Sequence, residues 1–168
     1  NGVPSVYARC LPQTNVVLVS RQTLDWLYVP FSEFREPHVI SQPVDNVDLI
    51  EVMAAENFSL QRDRDGVWFL GGTHPAKVDP ELMTRFLADL NNLRVAEYVK
   101  DVVTDFTAYG LDKPLRQYTL RRMLTNSVNN MTNPILAQLN FGSNVADRVY
   151  ARLSDESSVY ATSWAESW

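Results

Sequence analysis

Two periods alternate along the chain. Most stretches take apolar and polar residues in turn, the pattern of a half-buried strand, and one repeats apolar residues every three or four positions, the pattern of a helix. The helical stretch covers 80–94. Leu82, Phe86, Leu90 and Leu93, flanked by Met83 and Leu87, form one apolar stripe, with Asp79 placed to cap the amino end and Pro80 suited to the first turn. Strand patterns cover 47–55, 58–62, 67–70, 95–99, 115–124, 135–141, 148–153 and 159–163. Asp63-Arg64-Asp65-Gly66 supplies a turn between two of them. Shorter helical signals fall at 22–28 and at 104–109, the second stopped by Gly110. The stretch 125–134 holds four Asn in ten residues and predicts a mobile loop. Hairpin after hairpin with few helices predicts an α+β fold: a largely antiparallel sheet built from hairpins, with one main helix, about 80–94, packed on one face.

The two ends of the chain resemble each other. Val6-Tyr7-Ala8-Arg9 recurs as Val149-Tyr150-Ala151-Arg152, and at the same offset Val16 matches Val159 and Ser20 matches Ser163. Both copies read as a strand, a polar turn and a second strand. The spacing is too long for a solenoid, so it predicts tandem duplication of a domain. The predicted division is 1–43, the closing hairpin, short helix and connector of a preceding repeat, and 44–168, one repeat domain. A start at Asn1-Gly2, without Met, fits a chain cut from a longer one.

Composition narrows the partners. Of 168 residues 45% are hydrophobic and 11% aromatic, enough for a sizeable core. A formal charge of -5 disfavours nucleic acid or an anionic membrane surface, both of which reward clustered Lys and Arg. Arg116, Arg121 and Arg122 read as a solvated strand face. No apolar run has the ~20 residues of a spanning helix, so no direct membrane insertion is expected. The single Cys10 excludes an internal disulfide and reads as a small buried residue.

Motifs for catalysis are not assembled in the sequence. Asp63-Arg64-Asp65-Gly66 opens like a calcium loop but runs into the apolar Val67-Trp68-Phe69-Leu70, which offers no oxygen ligands. His38 and His74 sit in loops beside Pro37 and Pro75, without a His/Asp/Glu partner spaced on a common element. Gly71-Gly72 lacks the Lys-Ser/Thr of a phosphate loop, and Asp79 and Glu81 suit a helix amino terminus rather than acid–base work. The expectation is a domain with no catalytic residues, no metal and no cofactor. Trp26, Tyr28, Phe31 and Phe34 cluster near the first prolines, and Trp164 and Trp168 crowd the end. The first four read as a ligand or partner surface, or as packing between successive repeats.

These features together resemble a bacterial family, the domain of unknown function 4340 family. The resemblance rests on Gly66-Val67-Trp68-Phe69-Leu70, Pro75 ahead of the helix at 79–93, Glu97-Tyr98-Val99, Tyr109-Gly110-Leu111-Asp112-Lys113-Pro114, and Val149-Tyr150-Ala151-Arg152-Leu153. The Tyr-Gly-Leu-Asp-x-Pro segment is the most specific piece, and 125–134 departs from the family as an insertion. The resemblance implies tandem copies on an envelope protein with an amino-terminal membrane anchor, facing the periplasm or cell surface, as an accessory of export-type ABC transporters. Three functions stand open: a non-catalytic extracytoplasmic interaction or scaffold module whose partner is another protein or adjacent repeats, a small-molecule or glycan-binding domain, and a hydrolase using His38 or His74.

Overall fold

Residues 4–25, 27–125 and 131–163 are described by the structure, a computed structural model. Contacts gather the chain into two units, 1–35 and 36–168. In the first unit, β1 (Ser5–Ala8) and β2 (Val17–Ser20) form an antiparallel hairpin with Val6 opposite Val19 and Tyr7 opposite Leu18. The helix α1 (Gln22–Asp25) and a 3-10 turn at Phe31–Phe34 follow.

The second unit is organised by its turns. In the hairpin joining β4 (Phe58–Arg62) to β5 (Trp68–Leu70), the Asp63 carboxylate accepts the amides of Asp65 at 3.0 Å and Val67 at 2.8 Å. Gly66 adopts φ 81°, where a side chain would be strained. This is the expected turn. Before it comes β3 (Leu49–Met53), and after it β6 (Ala76–Lys77), α2 (Pro80–Asn91) and β7 (Val95–Lys100). The rest are β8 (Arg116–Arg121), β9 (Leu124–Thr125), β10 (Met131–Thr132), β11 (Ile135–Val145), β12 (Arg148–Leu153) and β13 (Val159–Thr162). Nine of them form one sheet in the order β6-β5-β4-β3-β8-β11-β12-β13-β7, with every recorded pairing antiparallel.

The expected α+β class is corrected to mostly β. Strand accounts for 41% and helix for 17%, and α2 is the one helix of seven or more residues among those described. The helical signals at 22–28 and 104–109 yield only α1 and a 3-10 turn at Thr107–Tyr109. Such short pieces have no long apolar stripe to anchor further turns. The main helix also stops early, at Asn91 rather than near 94. Asn92 caps it, and Leu93 and Arg94 peel off so that Val39 and His38 can pair with them. Its amino end is as expected, with Asp79 Oδ1 accepting the amides of Glu81 at 2.8 Å and Leu82 at 3.0 Å. Cys10, expected to be buried, is exposed in the β1–β2 loop. Part of 125–134 forms the β9–β10 ladder, and 126–130 lie outside the described residues.

One face of the sheet carries the main core. Met83, Phe86 and Leu90 of α2 pack over Ile50, Val52, Leu60, Tyr118, Leu120, Leu139, Phe141, Val149, Ala151 and Tyr160, and Val39 and Ile40 join them. The opposite face is polar in the middle, where Gln117 donates to Asn140 at 2.6 Å and Asn140 to Ser154 at 2.8 Å. Beside this ladder, Val103 and Leu111 cover Val159, with Val99, Phe106, Tyr109 and Tyr150 packed around them as a second core. The Tyr109-to-Pro114 segment is therefore structural. Gly110 ends the 3-10 turn at φ 66°, Ser143 Oγ donates to the Tyr109 carbonyl at 3.0 Å, and Gly142 leaves room for that carbonyl beside β11.

The duplicated segments have matching backbones. In β12–β13, Val149 lies opposite Thr162, Tyr150 opposite Ala161 and Ala151 opposite Tyr160, the same register as Val6–Val19, Tyr7–Leu18 and Ala8–Val17 in β1–β2.

Candidate functional site

The sheet leaves one stretch of its core-bearing face incompletely covered. α2 lies over its middle, so an open apolar groove of about 640 Å³ runs between the helix and strands β3, β4, β5 and β6. Val52, Leu60, Met83, Phe86 and Tyr118 line its buried wall, and each also belongs to the main core. Its rim is made by Phe58, Leu70 and Leu82, which are 42%, 40% and 44% exposed. Apolar side chains left this open along a continuous groove are uncommon away from binding surfaces.

Leu82 carries a correction to the sequence reading. The stripe expected to be all core splits, with Met83, Phe86 and Leu90 turning inward and Leu82 standing on the groove rim. Polar groups also line the groove. Arg116 Nη1 donates to the Tyr118 hydroxyl at 3.3 Å, and Glu56 and Lys77 add a charge of each sign to the lining. Burial pushes the Tyr118 hydroxyl pKa up, and the charge and hydrogen bond of Arg116 only partly oppose this. Its ring packs against Phe86 at 5.8 Å and edge-on to Phe141 at 6.0 Å, so the groove wall is held by aromatic contacts. At the sheet edge beside the groove, β6 has a strand neighbour on one side only among the described residues.

Tyr28, Phe31 and Phe34 belong to the first unit and are 78%, 71% and 75% exposed, while Trp26, Trp164 and Trp168 lie outside the described residues. The Arg35 guanidinium stands 5.5 Å from the Phe31 ring centre. None of the three described aromatics lines the groove.

A second, polar hollow of about 380 Å³ is lined by Glu36, His38, Ser41, Gln42, Asp45 and Asn91, with Ile40 and Pro43. Here the sequence reading missed a partner, because Glu36 lies only two residues from His38 and their side chains meet at 2.7 Å. The hydrogen bond with the His38 ring, followed by that from the His38 amide, holds the Glu36 carboxyl below the ordinary range. Among the described residues no hydrogen bond joins Ser41 to His38, and no group of three or more His, Cys, Asp or Glu side chains is placed to hold a metal ion. Nor is any helix among them long and apolar enough to cross a membrane.

No curated protein and no solved structure matches the chain. Two overlapping stretches, 1–114 and 68–167, match the family described as Domain of unknown function (DUF4340), as the resemblance in the sequence implied. Overlapping matches of this kind are consistent with tandem repetition, and so is the shared register of the two hairpins. The chain belongs to the DUF4340 family.

Proposed function

We propose that the second unit is a non-catalytic interaction module that seats an extended apolar segment of a partner protein between α2 and the β3–β6 end of the sheet. The observation that supports this is an open apolar groove lying beside an edge strand. A segment adding to the free side of β6 would satisfy its own backbone, and every second side chain could point into the groove. The volume suits a few large side chains. By the resemblance of the sequence to envelope proteins, the module is proposed to work outside the cytoplasm on an anchored parent protein, beside an ABC-type export system. Accessibility of the protein to added protease in cells with a permeabilised outer envelope tests that placement.

A second reading, a site for a small amphiphile, is favoured by Arg116 and Tyr118 in the lining of the same groove, where a head group could hydrogen-bond. One titration separates the two. The isotope-labelled chain is mixed with a heptapeptide alternating leucine and threonine, and separately with decanoate. The peptide is expected to shift the amides of Leu70, Ala76, Lys77 and Leu82 saturably, and Leu82→Glu should abolish the effect. Saturable shifts with decanoate and none with the peptide would replace the first reading by the second.

A further inference from the structure

The hairpin β1–β2 carries a buried hairpin's sequence in a place only partly covered. Its register is that of β12–β13, position for position. In the second unit β12 is flanked by β11 and β13 by β7, while in the first unit β1 and β2 pair with no other strand among the described residues. Val149, Ala151 and Val159 are 7%, 0% and 0% exposed, and the same residue types recur at Val6, Ala8 and Val16. Val6 and Ala8 are only half-buried, while Val16 is 60% exposed, and Tyr7 and Leu18 are 83% and 62%.

Both faces of the hairpin are apolar for a reason visible in the second unit. There Val149, Ala151 and Tyr160 serve the core under α2, while Tyr150 and Val159 serve the core on the opposite face. A solvated ribbon needs no such residues, and an isolated two-stranded hairpin is at best marginally stable.

We infer that β1–β2 is a closing hairpin for another copy of this fold, taking a strand like β11 along β1, a strand like β7 along β2, and a helix like α2 over one face. The place in the second unit is already filled by β12–β13, so the partner is a further repeat. This inference does not rest on the groove.

The test is a graft within the whole chain. Residues 148–163 are replaced by the sequence of 5–20, so one molecule holds the same sequence in a flanked and an unflanked position. Hydrogen exchange is then compared between the two copies. The expected result is cooperative unfolding, with grafted amides exchanging about 100-fold more slowly than their amino-terminal twins. One substitution in the graft puts Leu at Ala161, which is 1% exposed, so a second graft keeps that Ala. A third shifts the inserted sequence by one residue, which turns every side chain to the wrong face and should abolish protection. If both in-register grafts exchange as fast as 5–20, or the shifted graft is protected as well, the inference is overturned.

Discussion

Shortening Leu70 and Leu82 to Ala together probes the groove most sharply. These side chains are 40% and 44% exposed, so roughly two-fifths of each remains for a ligand to cover. Full burial of a leucine stabilises by about 1.5–3 kcal/mol, which leaves about 0.6–1.2 kcal/mol per residue for binding. The pair therefore contributes about 1–2.5 kcal/mol, and at about 1.4 kcal/mol per tenfold the double variant should bind the leucine–threonine heptapeptide about 5- to 60-fold more weakly. The buried remainder of each side chain also supports the fold, so the melting temperature should fall by several degrees. Binding is accordingly measured by calorimetry near 20 °C, with circular dichroism checking that the variant is folded. A parallel variant, Tyr28→Ala with Phe31→Ala, should leave the affinity within about twofold, because neither side chain lines the groove. The reasoning fails if the Leu70/Leu82 variant is folded and binds within about twofold of the native chain. It fails equally if the first-unit variant loses tenfold.

Other perturbations test what holds the site in place. Leu90 is 1% exposed under the sheet, so Leu90→Ala should cost about 2–5 kcal/mol in urea unfolding. Gly142→Ala would press a methyl group against the Tyr109 carbonyl, and overpacking of that kind should cost about 1–3 kcal/mol and loosen amide protection around Leu111 and Val159. Asp48 accepts Arg62 Nη2 at 2.7 Å and the Met123 amide at 3.0 Å. Burial pushes its carboxyl up, but the hydrogen bonds from Arg62 and Met123 and the nearby arginine charges leave it below the ordinary value. Its folded pKa is depressed, so the stability it contributes is present above about pH 4 and lost as the pH falls through the folded value. Asp48→Asn should therefore be destabilising at pH 7 and should flatten the acid limb of stability measured between pH 5 and 2.

The parts of the fold legible in the sequence are those fixed by neighbours in the chain. Asp79 starts α2 by accepting hydrogen bonds from amides two and three residues on, with Pro80 suited to the first turn, and Asp63 and Gly66 close their turn within five residues. The order of strands was not legible. β7 pairs with β13 across more than fifty residues, and alternation shows that a strand has an inner face without naming its neighbours. The fold class was misjudged because the one main helix was set level with the sheet, although nine strands join in that sheet and α2 is the one helix of seven or more residues among those described.

The groove was hidden by the same limit. Leu82 reads as core because apolar periodicity reports that a side chain seeks cover, and cannot say whether this unit supplies it. Leu82 was the available clue, since it sits at the margin of the stripe centred on Phe86. The aromatics from Trp26 to Phe34 drew attention by crowding in the sequence, but Tyr28, Phe31 and Phe34 are not among the groove's walls. The pairing of Glu36 with His38 was passed over because partners were sought on a shared helix or strand, and these two meet across a loop.

The most direct measurement is a set of intermolecular nuclear Overhauser contacts between the methyl-labelled chain and the bound heptapeptide. The account predicts contacts from the methyl groups of Leu70, Leu82 and Met83 to alternate peptide side chains, with the Lys77 segment protected from exchange as a peptide strand pairs beside it. Contacts confined to the rings of Tyr28, Phe31 and Phe34, with the groove methyls unmoved, would contradict it.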